Sequence, residues 1–493
     1  MFRKVLVANR GEVAVRVVRA CHDLGVPALA VFEPEDRGAL HVRLAAECVA
    51  LEGDGGYSDG GQLLRVAVAH GCDAVHPGWG FLAENARFAR AAAAAGVAFV
   101  GPPAELIALQ QDRPRMLDMV LRAGHAVPAH SGRAFRDGEE DEIARAAGAL
   151  GFPLVVKSIV GGRGRGARIA RNAASLEAAV ETARAEAQIV YGDRRVYLEQ
   201  ALAGARHVGV QLLGDARGRL LSLGEREGTI QRGNQKLVDE APSSALTEET
   251  RALLVAAALD IGRLFRVRSA CTVEFVLDRE GKAHFTEIKP RIQREHVVTE
   301  LVTGVDLVSW QLKIAAGQPL DLDERDVVPR GVALSCRVNA EDPWRGFLPT
   351  PGRVEKVRLP GGPGVRVDTY VFAGAEIGGR YDPSVAQVAV RGESRAEAVE
   401  RLRRALQEFT LIGPPTNVPL QIRIVGDPLF AAGRYDHDFF SGEFLEGGGD
   451  ERHRRDLAVA AALAYGARHL AFRPEIPERF MGGWHREGRR LPS

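Results

Sequence analysis

Hydrophobic positions along this chain follow three rhythms, and each predicts a different kind of element. The apolar run KVLVA (4–8) is followed by the turn NRGE (9–12), by apolar positions at helical spacing over 13–24, and by a second apolar run over 27–32. Strand, helix, strand with short joins predicts a parallel sheet. The same alternation continues through 74–76 and 98–100 and ends near GPP at 101–103. Helical patterning over 104–122 then leads to an apolar strand FPLVVKS (152–158), a glycine loop VGGRGRG (160–166) and a strand over 167–170. Further strands are expected at 196–202, 208–213 and 220–225, and Thr247 caps a helix running to about residue 265, with Glu248 and Glu249 in its first turn. From Gly331 the pattern turns β-rich, over 332–339, 353–359, 365–371 and 385–390, with one helix at 396–408. GGGD (447–450) marks a joint, and an alanine-rich helix is expected over 457–472.

The stretch 271–296 carries the densest chemistry. Apolar, β-branched runs at 271–277 and 283–288 flank the turn residues DREG, which predicts a hairpin. With a two-residue tip at Glu280 and Gly281, Glu274 falls opposite Glu287 on one face, about 5 Å away. Carboxylates that close repel and call for a cation, and hard oxygen ligands suit Mg²⁺. Period two, if the strand continues past Pro290, carries Lys289, Arg291 and Gln293 to the same face, and Glu295 and His296 follow. A solvated edge strand would show the same pattern.

Elsewhere, a glycine loop beside Lys157 lets backbone N–H groups approach phosphate oxygens; an ordinary hairpin is the alternative. The strand 196–202 suits an adenine pocket between two lobes. Trp79, in HPGWGFLAEN (76–85), either stacks on a flat heterocycle or plugs a seam between domains.

The 493 residues suggest about three domains. A net charge of +1 draws neither nucleic acid nor membrane, and no apolar run approaches a membrane span. The start enters a strand directly, which argues against a signal peptide. Five scattered cysteines without a C-x-x-C pair argue against zinc and disulfides and suggest a cytoplasmic location.

Taken together, VANRGEVAVRVVRA, HPGWGFLAEN, FPLVVKS with its loop, RHVGVQLLGD, QKLVDEAP, RIQREHVVTELVTGVDL, CRVNAEDP, FLPTPGRV and GPPTNVPLQIRI resemble biotin carboxylase, an ATP-grasp enzyme, in the family's order over about residues 1–446. The resemblance implies a mixed α/β and α+β fold. Its parts are a parallel-sheet N-domain (1–113), an ATP-grasp domain (114–330) and a β-rich C-terminal domain (331–446), before a tail with one helix (447–493). It implies a ligase that uses ATP to form carboxyphosphate from bicarbonate and then carboxylates biotin held by another protein. Glu274 and Glu287 would hold Mg²⁺ or Mn²⁺, with Lys289 at the place of a third ligand. Lys236, Arg291, Gln293 and the backbone at Arg294 would hold bicarbonate, and Glu295 would be the base. Arg337 would face the biotin oxygen, with Trp79 nearby. Arg113, Lys157, Arg163, Gly164, Glu199, Gln200, Ala201, Leu202, His207, Gln231 and Asn234 would frame ATP. The implied partners are a biotin carboxyl carrier protein, a second copy of the chain in a homodimer, and a carboxyltransferase subunit. The whole would be an acyl-CoA or pyruvate carboxylase of the kind that serves fatty acid biosynthesis. No methionine is followed by lysine, so the chain is not expected to carry biotin itself.

Several positions depart from the family pattern. Lys289 stands where the family has a metal-binding asparagine, and Pro290 where it has threonine. Arg294 replaces a small apolar residue and is expected to pull Glu295 into an ion pair, weakening it as a base. Asn234 replaces histidine, Arg113 lysine, Gly209 glutamate and Trp79 tyrosine. These departures leave three readings: a carboxylase with altered metal use, a paralogue that has lost turnover but partners a carboxylase complex, and another ATP-grasp ligase.

Overall fold

The structure, a computed structural model, describes residues 1–80, 82–160, 167–233, 235–440, 442–445 and 451–470. Arg163, Gly164 and Asn234, expected at the nucleotide, lie outside the described residues, as do the joint at 447–450 and the end beyond 470. Contacts divide the chain into residues 1–441 and 442–493. The second unit contains the helix Glu451–Leu470, which starts six residues earlier than the alanine-rich pattern predicts. No helix among the described residues is long and apolar enough to cross a membrane.

The first unit opens with a five-stranded parallel sheet in the order Glu47–Ala50, Ala28–Phe32, Val5–Val7, Ala74–His76, Ala98–Phe99. The apolar run at its centre is buried on both faces, as parallel strands require. Glu47–Ala50 was not expected, because half of its residues are polar or small and it forms an exposed edge. Gly11 opens the helix Gly11–Asp23 at φ +62°, a backbone that favours glycine.

A three-stranded antiparallel sheet follows, with Leu154–Ser158 between Ala167–Ala170 and Val196–Gln200. The largest sheet has eight antiparallel strands. Their order is Ala283–Lys289, Ser269–Leu277, Arg206–Gly214, Leu220–Glu227, Val238–Ala241, Val332–Asn339, Ser384–Gly392, Val365–Thr369. It crosses the boundary expected near residue 330, because Val238–Ala241 pairs directly with Val332–Asn339. The run expected over 353–359 is broken into Gly352–Arg353 and Lys356–Arg358, which pair with different partners.

The hairpin differs from expectation at its tip. The turn spans five residues: Asp278 N–H donates to Lys282 O at 3.1 Å, and Asp278 Oδ1 accepts from the N–H groups of Glu280 and Lys282 at 3.1 and 2.8 Å. Pairing near the tip is therefore one residue out, with Leu277 opposite Ala283. A bulge between Glu274 and Phe275 absorbs the difference, with Thr286 as the extra residue, and Glu274 still faces Glu287. The strand stops at Lys289. Pro290 has no N–H to offer the ladder, and Arg291 N–H turns back to Lys289 O at 2.9 Å. Period two therefore does not govern Arg291 and Gln293.

Buried ion pairs tie the first helix to the large sheet. Glu300, in the helix His296–Thr303, accepts from Arg16 at 3.0 Å, from Arg366 at 2.6 Å and from Leu307 N–H at 2.8 Å. Removing that carboxylate strands two largely buried guanidiniums. Glu300→Ala is expected to lower stability by about 3–5 kcal/mol, read as a lower denaturant midpoint at unchanged slope.

Candidate functional site

A cleft of about 1380 Å³ lies where the parallel sheet, the glycine-loop sheet and the eight-stranded sheet meet. Trp79, Arg113, Lys157, His207, Gln231, Lys236, Glu274, Glu287, Lys289, Arg291, Gln293, Arg294, Glu295 and Arg337 all line it. Chain segments separated by more than two hundred residues thus converge on one space.

The hairpin sets the frame. Cross-strand pairing places Glu274 and Glu287 together, and each has its own cations. Glu274 is 3.4 Å from Lys236 Nζ and accepts from Gln293 Nε2 at 2.9 Å. Glu287 meets Arg113 and, at 2.8 Å, Lys289 Nζ. Burial alone would raise the Glu287 carboxyl, but Arg113 and Lys289 outweigh it and hold the pKa at about 2. Among the described residues no group of three His, Cys, Asp or Glu forms a metal cage. Two carboxylates on one face fit Mg²⁺ that takes its other ligands from nucleotide phosphates and water. The Lys289 ammonium cannot ligate a cation; it already neutralises Glu287.

Lys236 joins the metal-type acids to Glu295, with Nζ 2.7 Å from Glu295 Oε1. Burial opposes the ammonium, yet Glu274 and Glu295 outweigh it and raise its pKa. Glu295 caps the helix His296–Thr303, where the helix dipole favours an anion. Burial raises its carboxyl, but Lys236 and Arg226 overcome this and hold it well below the usual range. The expected Arg294–Glu295 ion pair does not form. Arg294 Nη2 reaches Asp382 at 3.2 Å instead, and its guanidinium lies 5.4 Å from the Trp79 ring centre. The weakening of Glu295 therefore comes from Lys236 and Arg226.

Trp79 is half-buried, packs on the core of the first helix, and lines the cleft; it plugs the seam and faces the site at once. Arg337 is held by Asp382 at 2.9 Å and by Asn339 Oδ1 at 3.2 Å. Arg291 Nε is anchored on Glu84 at 2.8 Å. Lys157 pairs with Glu199 at 2.7 Å. Burial, and after it Lys236, lowers the His207 pKa to about 4, so the ring is neutral at pH 7.

The stretch 199–202 does not line the cleft. Glu199 is buried behind Lys157, while Gln200 N–H and Ala201 N–H are bonded to Ala129 O and Pro153 O at 2.8 and 3.0 Å. The strand ends at Gln200, so Ala201 and Leu202 belong to the connection.

Three site residues escaped sequence reasoning. Arg226 is fully buried and donates to Gln211 (2.8 Å), Thr272 (2.7 Å), Thr299 (3.2 Å) and Gln293 (2.5 Å). Asp239, pushed to about 7 first by burial and then by Glu295, lines the cleft beside Lys236. Asp382 gathers Arg294 and Arg337. Charges inside apolar strand patterns, ERE at 225–227 and DE at 239–240, were the available signal.

Glu287 makes stability depend on pH. Its folded value of about 2 lies below its ordinary 4.5, so its contribution is complete above pH 4.5 and is lost as pH falls toward 2. Glu287→Gln is expected to flatten the decline of melting temperature between pH 5 and pH 3 relative to the unaltered protein. A decline of equal steepness in both would contradict this assignment.

The comparisons with known proteins fit this geometry. The family described as "Biotin carboxylase, N-terminal domain" matches residues 1–107. "Carbamoyl-phosphate synthase L chain, ATP binding domain" matches 112–323, and "Biotin carboxylase C-terminal domain" matches 335–442. The biotin carboxylase of Nostoc sp. is 40% identical over 442 residues, covering 89% of this chain and 98% of that protein. The 2-oxoglutarate carboxylase small subunit of Hydrogenobacter thermophilus is 41% identical over 441 residues, covering 88% and 92%. A crystal structure of the biotin carboxylase domain dimer of the latter enzyme, with MgADP, ADP and bicarbonate, superposes with a TM-score of 0.87 at 39% identity, covering 89% of this chain and 97% of that one. This chain belongs to the biotin carboxylase family.

Proposed function

We propose that the chain uses ATP and bicarbonate to carboxylate biotin on a separate carrier protein, as the biotin carboxylase subunit of a larger carboxylase. One observation carries the reading: Lys236 lies between Glu274 of the acid pair and Glu295, so the nucleotide end and the bicarbonate end of the cleft share a cation. Glu274 and Glu287 would hold Mg²⁺, which supplies charge neutralisation at the phosphates. Lys157 and Arg113 add fixed positive charge on the nucleotide side.

Lys236, Arg291, Gln293 and the backbone at Arg294 would hold bicarbonate, and Glu295 would take its proton as the oxygen attacks the γ-phosphorus and ADP leaves. The protein's contribution is position and charge, with no covalent intermediate on a side chain. Carboxyphosphate then supplies the CO₂ that bonds to the ureido N1 of biotin. Arg337 is placed to stabilise negative charge on the ureido oxygen. The H. thermophilus structure is a dimer, which supports a homodimer here. Its parent enzyme, together with a similar pyruvate carboxylase component from Methanothermobacter thermautotrophicus, supports assembly with a carrier and a carboxyltransferase, in the cytoplasm.

Lys289 favours the altered-metal form of this reading over loss of activity, because its ammonium neutralises Glu287 from within the fold. Purified protein is expected to release ADP in a biotin-dependent, bicarbonate-stimulated manner. Arg291→Ala and Glu295→Gln should each lower that rate at least ~100-fold, the scale of lost electrostatic or acid–base groups. ATP binding without turnover above background would favour the inactive paralogue. Lys289→Asn should shift the Mg²⁺ concentration for half-maximal rate; an unchanged Mg²⁺ dependence would remove Lys289 from the metal site.

A further inference from the structure

Glu12 and Arg294 face one another across one end of the cleft. Glu12 belongs to the first turn of the helix Gly11–Asp23 and is 6% exposed. Neither of its carboxylate oxygens has a hydrogen-bond partner among the described residues, and the buried Nη1 of Arg294 has none either. The two groups are 3.9 Å apart, too far for a hydrogen bond. The rest of Arg294 is fixed. Its Nη2 binds Asp382 Oδ2 at 3.2 Å, and that same oxygen takes Arg337 Nη2 at 2.9 Å. Two guanidiniums thus share one carboxylate, and both line the cleft with Glu12.

A buried carboxylate and a buried guanidinium nitrogen without partners are costly to keep. Burial pushes the Glu12 carboxyl up to about 7 in spite of Arg294, so the nearby guanidinium does not fully compensate it. The pair offers an acceptor-only group opposite a donor-only group. A phosphate would satisfy only the arginine, and an amine only the glutamate. A ligand with an N–H beside a C=O, as in a cyclic urea, satisfies both.

We propose that Glu12 and Arg294 form a recognition subsite for the ureido ring of the acceptor. Glu12 accepts the N–H of the nitrogen that is not carboxylated, and Arg294 donates to the carbonyl oxygen alongside Arg337. This rests on the carboxylase reading above. Arg294 gives this chain a donor where the family pattern has a small apolar residue. Both are binding residues, and their effect falls on acceptor affinity more than on the rate at saturation.

Ligand-observed NMR titration of biotin and of 2-imidazolidinone, a bare cyclic urea, tests this on the full chain. The proteins compared are the unaltered chain, Glu12→Gln and Arg294→Val. Melting temperatures check folding; Glu12→Gln keeps the side chain's shape if Arg294→Val proves unstable. Each variant should weaken both ligands about tenfold or more, the scale of a charge-assisted hydrogen bond. The KM for free biotin in ADP release should rise in step. Unchanged affinity in both variants overturns the proposal, and so does unaltered protein that binds neither urea. Glu12- and Arg294-dependent biotin binding without ADP release upholds the subsite and removes the carboxylase reading. Biotin-dependent turnover with unchanged KM in both variants does the reverse.

Discussion

Two carboxylates set opposite each other in an antiparallel hairpin stay charged only if cations are brought to them, and much of this fold is arranged to bring them. Glu274 and Glu287 share one face of the terminal hairpin of the eight-stranded sheet. Arg113 comes from the start of a helix before the glycine-loop sheet, Lys236 from a short two-stranded ribbon, and Lys289 from the hairpin itself. None of these cations is a sequence neighbour of both acids. The lobes must therefore close on the hairpin for the acids to be neutralised, and the cleft they enclose is the site.

The same electrostatics grade the acids along the cleft. Glu287 and Glu295 are held as anions by the cations beside them, whereas burial leaves Asp239 and Glu12 near 7. Glu295 is thus a weak base in the protein alone, and an anion that draws Lys236 away from it would strengthen it. Bicarbonate bound at Lys236 and Arg291 is such an anion. Arg226 sets the geometry from below by fixing Gln293, whose amide in turn holds Glu274.

Much of this was legible in the sequence. The alternation of apolar runs with helical spacing gave the parallel sheet, and the β-branched runs around DREG gave the hairpin and the facing of its acids. The facing survived although the tip was misread, because the bulge at Thr286 cancels the longer turn. What could not be read were choices made in three dimensions. Arg294 had Glu295 as its sequence neighbour but found Asp382 across the fold, where two guanidiniums could share a carboxylate. Arg226 looked like a surface charge in a strand until four buried acceptors closed around it. Residues 199–202 were extended as expected, but two of their amides were already taken by neighbouring loops.

The central claim is that the facing acids, not Lys289, take the divalent ion with the nucleotide. Electron paramagnetic resonance of Mn²⁺ in the presence of ADP tests it without turnover. The account predicts a bound Mn²⁺–ADP signal in the unaltered protein, its loss in Glu274→Gln and in Glu287→Gln, and its retention in Lys289→Ala. An undiminished signal in both glutamine variants would contradict it.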